Sequence, residues 1–179
     1  MQSTNGGKYL QVYEDYIPSS LQKKENAILK ALWDEYEQHK MDGAEVYQLE
    51  DGLVFLSYAS EQEKIVREFY EAEKNKHKLW MDIELIKKAE LKLQVDRILN
   101  SCVMAVIFLS KEYLIKAWTR YEFLRLLEEK EKRNIKIIIV PLTAGVEDVI
   151  TQYCSMNSSI CVKDIGELSD WLSIEQSNK

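Results

Sequence analysis

Two prolines, six glycines, two histidines and three cysteines in 179 residues are low counts, and each shortage excludes a class of protein. Cys102, Cys154 and Cys161 form an odd set without CxxC spacing, which excludes a disulfide framework and a zinc knuckle and fits reduced thiols in a cytoplasmic protein. There is no GxSxG, Walker loop, GxGxxG or HExxH, and ligands in metal-binding spacing are missing, so metal chemistry and a histidine mechanism are not expected. His39, at the polar end of a helical stretch, and His77, in a Lys-rich turn, read as solvated side chains. No basic segment leads into an apolar run at the start of the chain. The longest apolar run, Cys102 to Leu109, is too short for a membrane span. An excess of one charge sign that would attract phosphate is also missing: 24 Lys plus Arg stand against 30 Asp plus Glu, a net charge of -6. Neither nucleic acid nor anionic lipid is an expected direct partner.

What is present is an ordinary globular composition, with 46% hydrophobic and 30% charged residues, in a length that suits one domain and an appendage. With few Gly and Pro as punctuation, changes of hydrophobic period mark the boundaries. Residues 1–50 stand apart as an N-terminal extension, and residues 51–175 form the main domain. In the extension, Ser19 and Gln22 have capping-box spacing after Pro18. Leu21, Ile28, Leu29, Leu32 and Tyr36 then share one face of a helix over about 20–40. Tyr9, Tyr13 and Tyr16 precede it at spacings that suggest packing.

The main domain alternates strand and helix, the pattern of a parallel α/β sheet. Strands are expected at 53–58, 78–82, 103–109 and 135–142, with a short edge strand at 160–162. Strand 103–109 is apolar at consecutive positions, which places it in the middle of the sheet. A helix opened by a Ser60–Glu63 capping box turns Ile65, Val66, Phe69 and Ala72 inward. The next buries Leu91, Val95, Ile98, Leu99 and Cys102; a long helix follows over about 116–132, a short one near 146–153, and a last one capped by Asp164 with Glu167 three residues on. The expected fold class is a flavodoxin-like five-stranded parallel sheet with helices on both faces.

In that strand order ligands bind beyond the carboxyl ends of the strands, at the switch point between the first and the third. The rule selects Tyr58, Ala59 and Ser60 after the first strand, and Ser110 onward after the third, leading into the helix with Trp118, Tyr121 and Glu122. Trp118 and Glu122, four apart, share one helical face. Alone, Glu122 beside Arg120, Arg125, Glu128 and Glu129 reads as a solvent-facing ion-pair partner, and Trp118 as a core aromatic.

Three segments resemble one family. "VFLSYAS" is similar to the first conserved box of TIR domains; "LWMDIELIKKAELKLQVDRIL" looks like their second strand, BB loop and following helix. "VIFLSKEYLIKAWTRYE" resembles their third strand and W-x-x-x-E stretch. The likeness covers about residues 52–173 in consistent order. It implies the TIR fold and two kinds of function. In the NAD-cleaving, chiefly microbial branch, Glu122 would be the catalytic carboxylate, with Trp118, Tyr58, Ala59, Ser60 and Asp82 lining the substrate site and NAD as substrate rather than cofactor. Asp82 could equally just end its strand, and Ser60 already has the work of a helix cap. Products would be nicotinamide and ADP-ribose or a cyclic variant, in immune or antiviral signalling. The alternative is a non-enzymatic adaptor or mimic acting through TIR–TIR contact, and in either case a sensor or effector protein could be a further partner. Glu84, Lys87, Lys88 and Ala89 fall in the BB loop that joins neighbouring domains in this family, although the charges read equally well as a solvated run; here Ile83 to Glu90 has neither Gly nor Pro.

One carboxylate can suffice for this cleavage. Nicotinamide leaves as a neutral molecule and needs no general acid, while the ribose develops oxocarbenium character that a nearby anion stabilises.

Overall fold

Strand β3 (Met104–Leu109) is buried at all six positions, as consecutive apolar residues require when helices cover both faces of a sheet. The structure, a computed structural model, describes residues 18–41, 52–82, 88–146, 148, 160–161 and 164–177. In chain order the elements are α1 (Ser19–Met41), β1 (Val54–Tyr58), a 3-10 turn (Ser60–Gln62), α2 (Glu63–Glu73), β2 (Leu79–Trp80) and α3 (Lys88–Ser101). After β3 come α4 (Lys111–Ile115), α5 (Ala117–Arg133), β4 (Lys136–Pro141), β5 (Ile160–Cys161) and α6 (Ile165–Ser177). A parallel four-strand sheet runs β2-β1-β3-β4, and the two-residue β5 pairs with β4 at its edge. This is the flavodoxin-like α/β arrangement expected from the alternating pattern. β1 and β3 pair from Val54↔Met104 to Tyr58↔Phe108, so their carboxyl ends are level at the switch point.

Alternation along the strands separates two cores. Val54 and Leu56, with Val106, Phe108, Ile138 and Val140, meet Val66 and Phe69 of α2 and Leu168 and Leu172 of α6. Phe55, Ala105, Ile107, Ile137 and Ile139 face the other way, onto Val95, Ile98 and Leu99 of α3 and the apolar side of α5. α1 lies outside α5 and adds Leu29 and Tyr36 to that second core. α5 is therefore covered from two sides, and from Thr119 to Leu127 every residue is buried.

Several sequence expectations shift. On α1 the inward face holds Leu29, Leu32, Trp33 and Tyr36, whereas Leu21 and Ile28 are exposed. The Gln22 amide donates to the Pro18 carbonyl at 3.2 Å. On α2, Val66, Phe69 and Glu73 point inward, and Ile65 and Ala72 outward. The cause is the start: Ser60 opens a 3-10 turn, and α2 begins at Glu63 with Gln62 at its N-cap and no side-chain cap. The long helix is preceded by a separate short one, α4, capped by the Ser110 hydroxyl on the Tyr113 amide. Asp164 caps α6 as expected, its Oδ1 accepting from the Glu167 amide at 3.0 Å. Tyr9, Tyr13 and Tyr16 and most of 146–153 lie outside the described residues.

Candidate active site

β1 reads Val-Phe-Leu-Ser-Tyr, and its register sets Ser57 opposite Ile107, on the sheet face that α5 covers. A hydroxyl buried there must find a partner. Ser57 Oγ donates to Glu122 Oε2 at 2.5 Å and lies 2.7 Å from Tyr113 Oη. Tyr113 comes from α4, and the Thr119 hydroxyl of α5 donates to its backbone carbonyl at 2.6 Å. Three elements, β1, α4 and α5, thus close around one carboxylate.

Glu122 is 4% exposed. It is not the solvated ion-pair partner that its charged neighbours suggest: Glu122 turns to Ser57 on the sheet side of α5, while Arg120 and Arg125 turn to α1. Arg120 Nη1 donates to Asn26 Oδ1 of α1 at 3.0 Å, and the Arg125 guanidinium sits over the Tyr36 ring at 3.6 Å. Burial pushes the Glu122 carboxyl up to about 8; the hydrogen bond from Ser57 opposes the rise, the negative charge of Asp82 adds to it, and a hydrogen bond from the Trp118 side chain opposes it again. Trp118 is half-buried, 6.5 Å from Tyr121 between ring centroids. An aromatic and a carboxylate one helical turn apart therefore share a wall at the carboxyl ends of β1 and β3.

The remaining sequence candidates take distinct places. Tyr58 leans to the α2 side of the sheet, and its hydroxyl donates to the Asp82 carbonyl at 2.5 Å, bracing the end of β1 against the segment after β2. Burial holds its phenol well above the usual range, with Asp82, Glu63 and Glu122 adding to the shift. Asp82 is thus joined to Glu122 by its charge and to Tyr58 by its backbone. Ala59 is buried in the α5-side core. Ser60 stays at the exposed rim: its hydroxyl accepts from Lys116 Nζ at 2.8 Å, and Lys116 also ion-pairs with Glu61 at 2.5 Å. Lys88 and Ala89 stand in the first turn of α3, so the helix begins inside the expected loop; Lys, Ala and Glu are good helix formers, and neither Gly nor Pro intervenes. Glu84 and Lys87 lie outside the described residues.

His77 is buried, not solvated, with Nε2 3.7 Å from Glu73 Oε2; the inward turn of Glu73 supplies that partner. A buried trio of Lys92, Asp96 and Tyr121 joins α3 to α5, with Lys92 Nζ 3.0 Å from Tyr121 Oη. Sequence reasoning overlooked this trio and, at the site itself, Ser57 and Tyr113. The available signal for Ser57 was a lone hydroxyl in an apolar strand whose neighbours on that face are all core residues. Among the described residues no group of three or more His, Cys, Asp or Glu is placed to hold a metal ion, and no helix is long and apolar enough to cross a membrane.

Residues 54–162 match the family described as the TIR domain. No curated protein and no solved structure matches the chain.

Proposed function

The chain belongs to the TIR domain family, and from that membership together with the buried Glu122 carboxylate we propose that it cleaves the nicotinamide–ribose bond of NAD. TIR domains generally interact with other TIR domains; assembly of neighbouring copies through the segment around Glu84, Lys87, Lys88 and Ala89 belongs to the same proposal. The observation that carries the reading is Glu122 at the switch point, held by Ser57 at 2.5 Å and one turn from Trp118. Scission sends the C–N electron pair to nicotinamide, which departs neutral. The ionised carboxylate stabilises the cation left on the ribose, in a site where the low local dielectric strengthens that attraction. Trp118 offers a flat apolar surface for the nicotinamide ring, and Tyr58, Ala59, Ser60 and Asp82 border the adjoining end of β1. Water capturing the cation gives ADP-ribose; the adenine ring capturing it gives a cyclic product.

Only the ionised carboxylate does this, so kcat/KM should rise with pH through about 8. The positively charged nicotinamide ring favours the anion, so the corresponding limb in kcat should lie at lower pH. Concentrated protein incubated with NAD should release nicotinamide, with mass spectrometry identifying the second product. Glu122→Gln should lower turnover by about 10²–10³-fold; equal turnover by the variant would remove Glu122 from the mechanism.

A further inference from the structure

The contact between Ser57 and Tyr113 has a direction. A serine hydroxyl has one proton, and Ser57 gives it to Glu122 Oε2 at 2.5 Å. The 2.7 Å contact with Tyr113 Oη must then be donated by the phenol. We propose that Tyr113 is a positioning residue for Glu122, the head of a one-way donor chain, Tyr113 to Ser57 to Glu122, that orients the carboxylate and favours its ionised form. Its catalytic consequence rests on the NAD-cleavage reading; the chain itself rests on geometry.

All three members are buried, at 0%, 1% and 4% exposure for Tyr113, Ser57 and Glu122, so water does not compete for their hydrogen bonds. In such surroundings successive donors polarise one another, and the last bond to an anion is strengthened by the one behind it. Tyr113 is itself fixed at two backbone points, its amide on Ser110 Oγ at 3.1 Å and its carbonyl under Thr119 Oγ1 at 2.6 Å. α4 thus delivers the phenol to the end of β1 and is tied at once to the helix that carries Glu122. The other groups bearing on Glu122 come from each neighbouring element: Asp82 beyond β2, Tyr58 at the end of β1 and Trp118 on α5. Burial and Asp82 hold the carboxyl protonated. The donor chain works against them, with Tyr113 reaching Glu122 through Ser57.

The test is a carboxylate titration of Glu122 in the full chain, by isotope-edited infrared or NMR with Glu122→Gln identifying the signal, beside the pH profile of kcat/KM. Ser57→Ala should raise the midpoint by roughly one to two pH units, the worth of a charge-assisted hydrogen bond. Tyr113→Phe keeps the ring and should raise it by a smaller step in the same direction. The double variant should titrate with Ser57→Ala, since the chain passes through the Ser57 hydroxyl. Ser57→Thr, which keeps the hydroxyl, should stay near the wild type. If Ser57→Ala does not fold, Tyr113→Phe must still shift the titration in the Ser57→Thr background. No shift in Tyr113→Phe, or an equal added shift without the Ser57 hydroxyl, overturns the assignment. Because the titration needs no substrate, a shift without nicotinamide release supports the chain and overturns NAD cleavage, and release without a shift does the reverse.

Discussion

At the scale of single residues, the burial of Glu122 has a cost in stability. An exposed glutamate loses its proton near 4.5, and this one near 8. Because the folded-state value is the higher, its favourable contribution is complete below the unfolded value and is lost as pH rises through the folded one. Between pH 4.5 and 8 the wild type should become less stable relative to Glu122→Gln, with no further divergence above that window. Denaturant unfolding at several pH values should show a difference on the order of 1–4 kcal/mol by pH 9. A difference that does not change with pH would mean that the carboxylate titrates in the folded chain where it does in the unfolded one. The sequence made Glu122 and Trp118 visible as a pair through their spacing. It could not reveal their burial, because Arg120, Arg125, Glu128 and Glu129 give the same helix the look of a solvated surface.

The explanation for that false surface lies at the scale of elements. α1 brings to α5 a polar face as well as an apolar one. Glu25 Oε2 accepts the Ala117 amide at 2.7 Å, supplying from another helix the cap that Lys116 cannot give. Tyr36 packs under Arg125 and its hydroxyl reaches Glu128 Oε2 at 3.3 Å. Glu25→Ala should cost about 1 kcal/mol, as loss of an N-cap does, and Tyr36→Ala about 3–5 kcal/mol, as loss of a large buried ring does. Leu21→Ala and Ile28→Ala, on the exposed side, should each stay within about 0.5 kcal/mol. Equal losses at all four positions in chemical denaturation would mean that α1 does not dock by this face. A hydrophobic period located α1 correctly but rotated its buried face toward Leu21 and Ile28, because Glu25 and Asn26 do their packing through hydrogen bonds that no apolar count registers. Period 2 and consecutive apolar runs fared better in the sheet, where β3 is buried throughout and β1 and β4 at all but their end residues.

At the scale of the whole molecule, strand order accounts for where chemistry can occur. The chains leaving β1 and β3 pack on opposite faces of the sheet, as α2 and α5, and the space beyond the strand ends receives Ser57, Tyr113, Trp118 and Glu122 from three elements, β1, α4 and α5. That convergence was legible in outline from the alternation of strands and helices; the donor chain was not, since it depends on a short helix, α4, that lies ahead of the helix expected over about 116–132. If assembly completes the site, turnover per molecule should rise with protein concentration. Lys87→Glu combined with Lys88→Glu should flatten that dependence by reversing two charges in the joining segment. Sedimentation alongside the activity assay separates lost assembly from lost chemistry. An unchanged concentration dependence would place the joining surface elsewhere.

If one buried carboxylate breaks the glycosidic bond of NAD, nicotinamide release at pH 9, where Glu122 is ionised, reads that chemistry without intermediaries. Wild-type protein at high concentration should release nicotinamide, and Glu122→Gln, of the same shape and without the charge, should release about 10²–10³-fold less. Indistinguishable release by the two proteins would contradict the assignment of the chemistry to Glu122.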